Sequence, residues 1–282
     1  MTDRPLDSLA PDALPLGKDV AYDAPYDPKL LCPIPRQPGR EALGLAFADG
    51  GLPFSGVDIW TAYELSWLDA RGKPIVACAE IHVPAESVYI VESKSLKLYL
   101  NSFNQHHFTA TDAVRDTIVR DLSGCLGTVP TVRVLLAPAW GALMCAEPAG
   151  TCIDALDVAI EHYQPAPELL RAHGDIVSET LYSHLLRSRC PVTGQPDWAT
   201  LSVDYTGPRI EQAALLAYIV SFRLHQDFHE HCVERIFVDL QRHCAPQRLS
   251  VYARYLRRGG IDINPYRSTA AQPPPALRGY RQ

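Results

Sequence analysis

The chain lacks any Cys-x-x-Cys pair, although cysteine stands at positions 32, 78, 125, 145, 152, 190, 232 and 244 of its 282 residues. Such scatter is unlike a zinc ribbon or the dense disulfide framework of a small secreted domain, so most of these thiols read as small buried apolar residues. An excess of positive charge is also missing. Twenty-six basic against 32 acidic residues leave a net charge of −6, the wrong sign for a protein held to nucleic acid by phosphate attraction, and a free small molecule is the favoured ligand class. The uncharged stretch from Val134 to Ala146 is too short to span a bilayer and carries Pro138 and Gly141, which excludes a membrane helix there. The opening Met-Thr-Asp-Arg-Pro-Leu-Asp lacks the basic-then-apolar order of a secretion signal, so a cytoplasmic location is expected. No Gly-x-Gly-x-x-Gly turn, Walker loop or Gly-x-Ser-x-Gly elbow occurs, which disfavours a Rossmann dehydrogenase, a P-loop ATPase and a serine hydrolase of the usual fold.

What is present is an ordinary globular composition, 47% hydrophobic and 21% charged, on a length that suits one large domain or two modules. Residues 1–45 hold Pro5, Pro11, Pro15, Pro25, Pro28, Pro33, Pro35 and Pro38 and read as an extended arm over the surface. Residues 46–150 read as a first module, 151–268 as a second, and 269–282, with Pro273-Pro274-Pro275, as a flexible tail. Val57 to Trp67 and Lys73 to His82 are β-rich and flank the turn signal Asp69-Ala70-Arg71-Gly72, which predicts a hairpin. A helix over Thr111 to Leu122 and a strand over Thr131 to Ala137 follow. The second module repeats the order, with strands at Trp198 to Tyr205 and Arg248 to Leu256 and helices at Ile210 to Leu224 and Phe228 to Cys244. Leu98-Tyr99-Leu100-Asn101-Ser102-Phe103 recurs as Ala217-Tyr218-Ile219-Val220-Ser221-Phe222, at an offset of 119 residues. Duplicated α+β modules are implied, with a ligand cleft expected where such modules meet.

Three segments carry candidate chemistry. Cys190, expected to be the most exposed thiol, sits among turn residues beside Arg189 and seven positions before Asp197. A free thiol, with a pKa of about 8.5, needs a neighbouring cation or base to serve as a nucleophile, and either neighbour can supply it. The run Glu92-Ser93-Lys94-Ser95-Leu96-Lys97 combines ammonium groups with small hydroxyls, as a phosphate-bearing ligand requires, though a solvated charged face has the same composition. His225, His229, Glu230, His231 and Cys232 crowd one short segment; zinc is one use, without the His-Glu-x-x-His spacing. A carboxylate such as Glu230 also suits the adjacent N–H donors on the pairing edge of a guanine-like base.

Together these segments resemble the NADPH-dependent 7-cyano-7-deazaguanine reductases of queuosine biosynthesis, in their long two-module form. The resemblance runs over roughly residues 50 to 268, through Glu92 to Tyr99, Cys190 to Trp198, Phe228-His229-Glu230 to Phe237, and Tyr252 to Tyr255 with Asp262 to Ser268. It implies two tandem tunnelling-fold modules, each an antiparallel sheet with two helices packed on one face. It implies that Cys190 attacks the nitrile carbon to form a thioimide, that Asp197 exchanges protons with thiol and nitrogen, and that two NADPH molecules used in turn complete a four-electron reduction to the primary amine. Burial would then raise the Asp197 pKa from its usual value of about 3.9. Substrate contacts fall on Val91, Glu92, Ser93, His229 and Glu230, with His229 able to pass a proton to the imine nitrogen. Cofactor contacts fall on Ser93, Lys94, Arg258 and Gly259, with Lys97 and Arg267 as weaker auxiliaries. No metal cofactor, no direct tRNA contact and a homodimer are expected. The rival readings are a cysteine-dependent nitrile or amide hydrolase, a zinc cyclohydrolase of the same fold group, and a non-catalytic purine-binding module.

Overall fold

The computed structural model describes residues 25–45, 51–276 and 278–282, so the expected arm over residues 1–24 lies outside it. The fold is mixed α+β, and its backbone contacts divide into two compact units that exchange segments. One comprises the described residues up to 45, Ile59–Ala142 and Arg257–Asp262; the other comprises residues 51–58, Leu143–Leu256 and Ile263–Gln282. The division falls near 142 where the sequence suggests 150, and strands β2 (Ser55–Leu68) and β10 (Ile261–Ser268) each contribute to both units.

In the first unit, β2 and β3 (Pro74–Pro84) flank the expected turn, where Asp69 N–H donates to Lys73 O at 3.0 Å. β5 (Thr131–Leu135) pairs antiparallel with β3, Cys78 opposite Leu135, in the order β5-β3-β2. Of the arm, β1 (Pro33–Pro35) pairs antiparallel with β4 (Tyr89–Val91), and helix α1 (Gln37–Ala42) follows. This part is no surface strap: Ile34, Arg36 and Arg40 are fully buried, and Arg36 donates to Ser87 Oγ at 2.9 Å. Helix α2 (Ser93–Asn101) occupies the lysine-rich run. Helix α3 (Thr111–Leu126) buries Val114, Ile118, Leu122 and Cys125 as a single stripe, the helical period read from the sequence. Gly127, at φ 67°, ends it in the left-handed conformation that glycine tolerates.

In the second unit the order is β10-β9-β8-β7-β6. β7 (Ala172–Arg189) and β8 (Pro196–Ile210) form a long antiparallel hairpin, with Ser188 opposite Asp197 and Arg189 opposite Pro196. β9 (Arg248–Tyr255) pairs with β8 and β10, and the short β6 (Thr151–Cys152) runs parallel to β7. Helix α4 (Gln212–Ser221) contacts β7, and α5 (His229–Cys244) contacts β7, β8 and β9. The segment read as a flexible tail is docked instead. Gln282 is buried and donates to Asn264 Oδ1 at 2.7 Å and Tyr255 O at 3.2 Å, while Arg254 donates to Pro275 O at 3.2 Å. Half of the cysteines meet the expectation of burial (78, 125, 232 and 244), but 145 and 152 are exposed and 32 and 190 are intermediate.

The short internal match extends into hydrogen bonding. Tyr99 donates to Asp121 Oδ2 at 2.7 Å in one unit, and Tyr218 donates to Asp239 Oδ2 at 2.7 Å in the other. Ser102 and Ser221 each donate to the tyrosine carbonyl three residues back, both at 2.6 Å. His106 N–H donates to Phe103 O at 2.8 Å, and His225 N–H to Phe222 O at 2.9 Å. The same histidines accept on their carbonyls from Leu68 N–H at 2.9 Å and Arg189 N–H at 2.8 Å. Each unit thus ties the end of its helix to the strand before its hairpin turn.

Candidate active site

Cys190 follows β7 directly, at the tip of the β7–β8 hairpin. Its N–H donates to Gln195 O at 2.9 Å, and Gly194 N–H donates to its carbonyl at 2.9 Å. Gly194 has φ 69°, which a side chain would strain, so the glycine permits the tight turn. That turn aims Thr193 N–H at Cys190 Sγ, 3.5 Å away. The thiol is half-buried, reachable without being a surface group; Cys145 and Cys152 exceed it in exposure, contrary to the expectation.

Asp197 enters at the start of β8 and is buried at 7% exposure. Its Oδ1 lies 3.3 Å from His229 Nε2. The His229 ring stacks flat on Tyr255, with centroids 3.7 Å apart and planes 1° from parallel. A histidine in the first turn of α5 is thereby fixed between a carboxylate and an aromatic face. Its Nδ1 has no hydrogen-bond partner among the described residues. Glu230, next in the same turn, is buried at 2% exposure.

The neighbouring histidines serve a different carboxylate. Asp227 lies 3.5 Å from His225 Nε2 and 3.1 Å from His231 Nδ1. Burial pushes the Asp227 carboxyl up, but both imidazoles outweigh it and hold it well below the carboxylate range. Burial likewise works against a charged His231, and Asp227 outweighs it, so that histidine titrates above its ordinary value. Cys232 is fully buried, and burial drives its thiol well up. Among the described residues, His225, His229 and Cys232 do not converge as a metal-ligand set.

In the first unit, Glu92 caps α2: Oε1 accepts from Lys94 N–H and Oε2 from Ser95 N–H, both at 2.8 Å. Burial raises its carboxyl above the usual value, against the lowering effect of those amides. Val91 is buried beside it and Ser93 is intermediate, its hydroxyl 3.5 Å from Glu92 Oε1. Lys94 and Gly259 line one cleft of about 180 Å³ with Lys97, Glu64, Asn101 and Gly260. A Cβ on Gly260 would fall 2.4 Å from Glu64 Cδ and one on Gly259 3.2 Å from Lys97 Cδ, and both glycines have positive φ. The cleft wall therefore requires glycine at both positions. Arg258 is half-buried on the same turn, its N–H donating to Ile261 O at 2.9 Å. Of the two auxiliary cations, Lys97 faces the cleft, whereas Arg267 is fully buried on Asp58 at 2.7 Å and Glu234 at 2.8 Å and belongs to the core.

Sequence reasoning missed Tyr255 and the Thr193 amide. Periodicity marks Tyr255 only as strand, and no side-chain pattern betrays a backbone N–H.

The family profile described as "Nitrile reductase, 7-cyano-7-deazaguanine-reductase N-term" matches residues 22–134, and that described as "QueF-like protein" matches 196–274. The chain is 58% identical over 258 residues to the NADPH-dependent 7-cyano-7-deazaguanine reductase of Azoarcus sp., covering 92% of this chain and 91% of that protein. It is 53% identical to the protein of the same name from Chromobacterium violaceum, covering 98% and 99%, and 57% identical to that of Bordetella pertussis, covering 95% and 98%. By these matches along nearly its whole length, the chain belongs to the family of NADPH-dependent 7-cyano-7-deazaguanine reductases.

Proposed function

We propose that this chain reduces the nitrile of 7-cyano-7-deazaguanine to the aminomethyl group with two NADPH per turnover, through a thioimide on Cys190. The observation that carries the mechanism is the β7–β8 hairpin: it presents a half-buried thiol under a backbone N–H, and places Asp197 against His229 on the strand that returns. The sulfur adds to the nitrile carbon, the thiol proton passes to the nitrogen through Asp197, and a C=N bond replaces the unreactive triple bond. NADPH supplies the hydride for each of the two reductions. After the first, the carbon–sulfur bond breaks, releasing an imine and returning the thiol. His229, held by Asp197 and Tyr255, gives its proton to the nitrogen in the second. Glu230 recognises the guanine-like edge, with Val91, Glu92 and Ser93 as the other assigned substrate contacts, and a buried carboxylate matched to two adjacent N–H donors discriminates against analogues that lack them.

The cleft with Lys94 and Lys97 suits a phosphate-bearing group, since two ammonium side chains stand at a wall where glycines let a ligand approach the backbone. Ser93, Lys94, Arg258 and Gly259 are the assigned cofactor contacts. The matched hydrogen bonds of the two units support a tandem pair of tunnelling-fold modules; we take the chain to act in a cytoplasmic homodimer without direct tRNA contact. No helix among the described residues is long and apolar enough to cross a membrane.

The decisive experiment mixes the full chain with 7-cyano-7-deazaguanine and follows NADPH absorbance and intact mass. Two NADPH are consumed per nitrile, wild type without cofactor gains the mass of one unchanged substrate, and Cys190→Ala gains none. Release of acid or amide without NADPH would establish the hydrolase instead, and turnover by Cys190→Ala would refute the covalent route.

A further inference from the structure

The second unit holds a set of mixed donors that the reduction does not use. Cys152 on β6, Asp154 just beyond it and His184 on β7 each offer a ligand atom, all within 4.8 Å of one another, and no other such group of three occurs among the described residues. The parallel pairing of Cys152 with Tyr182 brings the two segments together, sealed by Ile153 N–H donating to Tyr182 O at 3.0 Å. The β7 register shifts between Ser183 and Leu186, so His184 lies in a bulge, a device that re-aims a side chain.

The groups behind these donors fix their orientation. Asp154 Oδ1 accepts from Ser183 Oγ at 2.6 Å and Oδ2 from His184 N–H at 3.0 Å. His184 Nδ1 meets Thr200 Oγ1 at 2.9 Å, which leaves Nε2 as the ligating nitrogen. Backing of this kind sets the tautomer and ring orientation of metal-bound histidines. Nε2 in turn faces Glu147 Oε2 at 3.5 Å, and Glu147 supplies a fourth donor. Donors around a tetrahedral zinc, with bonds of about 2.0–2.3 Å, stand about 3.3–3.8 Å apart, so Cys152, Asp154 and His184 close on an ion if their widest gap shrinks by about 1 Å. Cys152 is exposed. Thiolate, imidazole and carboxylate together select a borderline-soft ion over magnesium or calcium, and four protein ligands leave no open position for catalysis.

We propose that Glu147, Cys152, Asp154 and His184 hold a structural zinc-class cation that clips the 147–154 segment to β7, the strand that leads into Cys190. The test titrates the metal-stripped full chain with Zn²⁺ and separately with Co²⁺. Stoichiometric uptake is expected, with tetrahedral cobalt absorption, thiolate-to-cobalt charge transfer and a rise in Tm on adding zinc. Cys152→Ser loses the charge-transfer band and weakens uptake by more than about tenfold, while Cys145→Ser, an exposed thiol outside the set, keeps both. Should Cys152→Ser fail to fold, Asp154→Asn gives the second reading: weaker uptake with the thiolate band retained at saturation. The proposal falls if wild type binds neither ion, if Cys152→Ser keeps the band, if Cys145→Ser loses it, or if Asp154→Asn binds as tightly as wild type.

Discussion

Arg267 separates two readings of the same cation. As a cofactor ligand, its loss raises the KM for NADPH and leaves Tm alone. The structure gives it another task. Its guanidinium is fully buried, donates through Nη1 to Asp58 Oδ1 at 2.7 Å and to the Tyr266 carbonyl at 2.9 Å and through Nη2 to Glu234 Oε1 at 2.8 Å, and lies 5.4 Å from the centre of the Phe54 ring. Burial alone would disfavour its charge, but the two carboxylates outweigh that and raise its pKa above the usual arginine value. Arg267→Met keeps much of the volume and takes the shared cation away from two buried carboxylates, a loss of about 3–5 kcal/mol by the usual cost of breaking a buried ion pair. For a chain of this length that is a fall in Tm of about 6–10 °C.

The assay is thermal and urea unfolding of Arg267→Met alone and with Glu234→Gln and Asp58→Asn. Neutralising the two carboxylates restores a large part of the loss, because replacing a whole buried ion cluster costs far less than removing one member. Glu234 lies one turn beyond His229 and Glu230 on α5, so kcat falls along with stability. A raised KM for NADPH with Tm within about 1 °C of wild type would refute the core assignment, since that margin corresponds to under about 0.5 kcal/mol.

The matched tyrosines make an asymmetric pair. Asp121 also accepts from Tyr26 at 2.7 Å, so Tyr99→Phe leaves its carboxylate partnered and costs about 1 kcal/mol, whereas Tyr218→Phe costs about 1.5–3 kcal/mol; equal losses in urea unfolding would contradict this. For Asp227, the depressed carboxyl stabilises the fold above about pH 4 and loses that effect as pH falls through its folded value, while the raised His231 stabilises below about pH 6.5 and loses it as pH rises through its folded value. The Tm gap between wild type and Asp227→Asn is therefore widest between about pH 4 and 6.5, and a gap constant from acid to alkaline pH would refute the pairing.

The sequence shows most clearly the elements that bury one face. β2 and β3 alternate around a turn signal, and α3 carries a clean apolar stripe, so both emerge from periodicity. β10 does not, because its Asp262, Asn264, Pro265, Arg267 and Ser268 read as loop residues, yet every position of the strand is buried. Its polar groups are satisfied by distant partners: Asp262 by Tyr63, Asn264 by Gln282, Arg267 by Asp58 and Glu234. Burial of that kind leaves no local hydrophobic signal. The lysine-rich run reads as a solvated face for the opposite reason, since its charges hide the helix α2, whose Leu96, Leu98, Tyr99 and Leu100 are buried. At the site, the seven-residue step from Cys190 to Asp197 is legible because a hairpin turn spans it. The neighbours on other elements, Tyr255 under His229 and His184 beside Cys152, require the strand register and cannot be read from spacing.

The two hairpins differ in the residue that opens the turn, Asp69 in one and Cys190 in the other. Leu68 and Arg189 make the same bond to a histidine carbonyl, which sets Asp69 in the place of Cys190. The turn closes alike, Asp69 N–H to Lys73 O and Gly72 N–H to Asp69 O, each at 3.0 Å. Yet the Asp69 carboxylate is folded back onto the amides of Lys73 and Arg71, and these hold it below the usual carboxylate range. A carboxylate spent on its own turn is a structural staple, with neither the nucleophilicity nor the orientation to add to a nitrile. The reverse holds for the helices: Lys94 and Lys97 of α2 have the uncharged Ala213 and Leu216 at the matching places of α4. The turn cysteine thus stands in one unit and the two lysines in the other. Burial and register constrain the turn at Cys190 and close glycine approach constrains the wall at Lys97, while both units keep the hydrogen bonds that hold hairpin to helix.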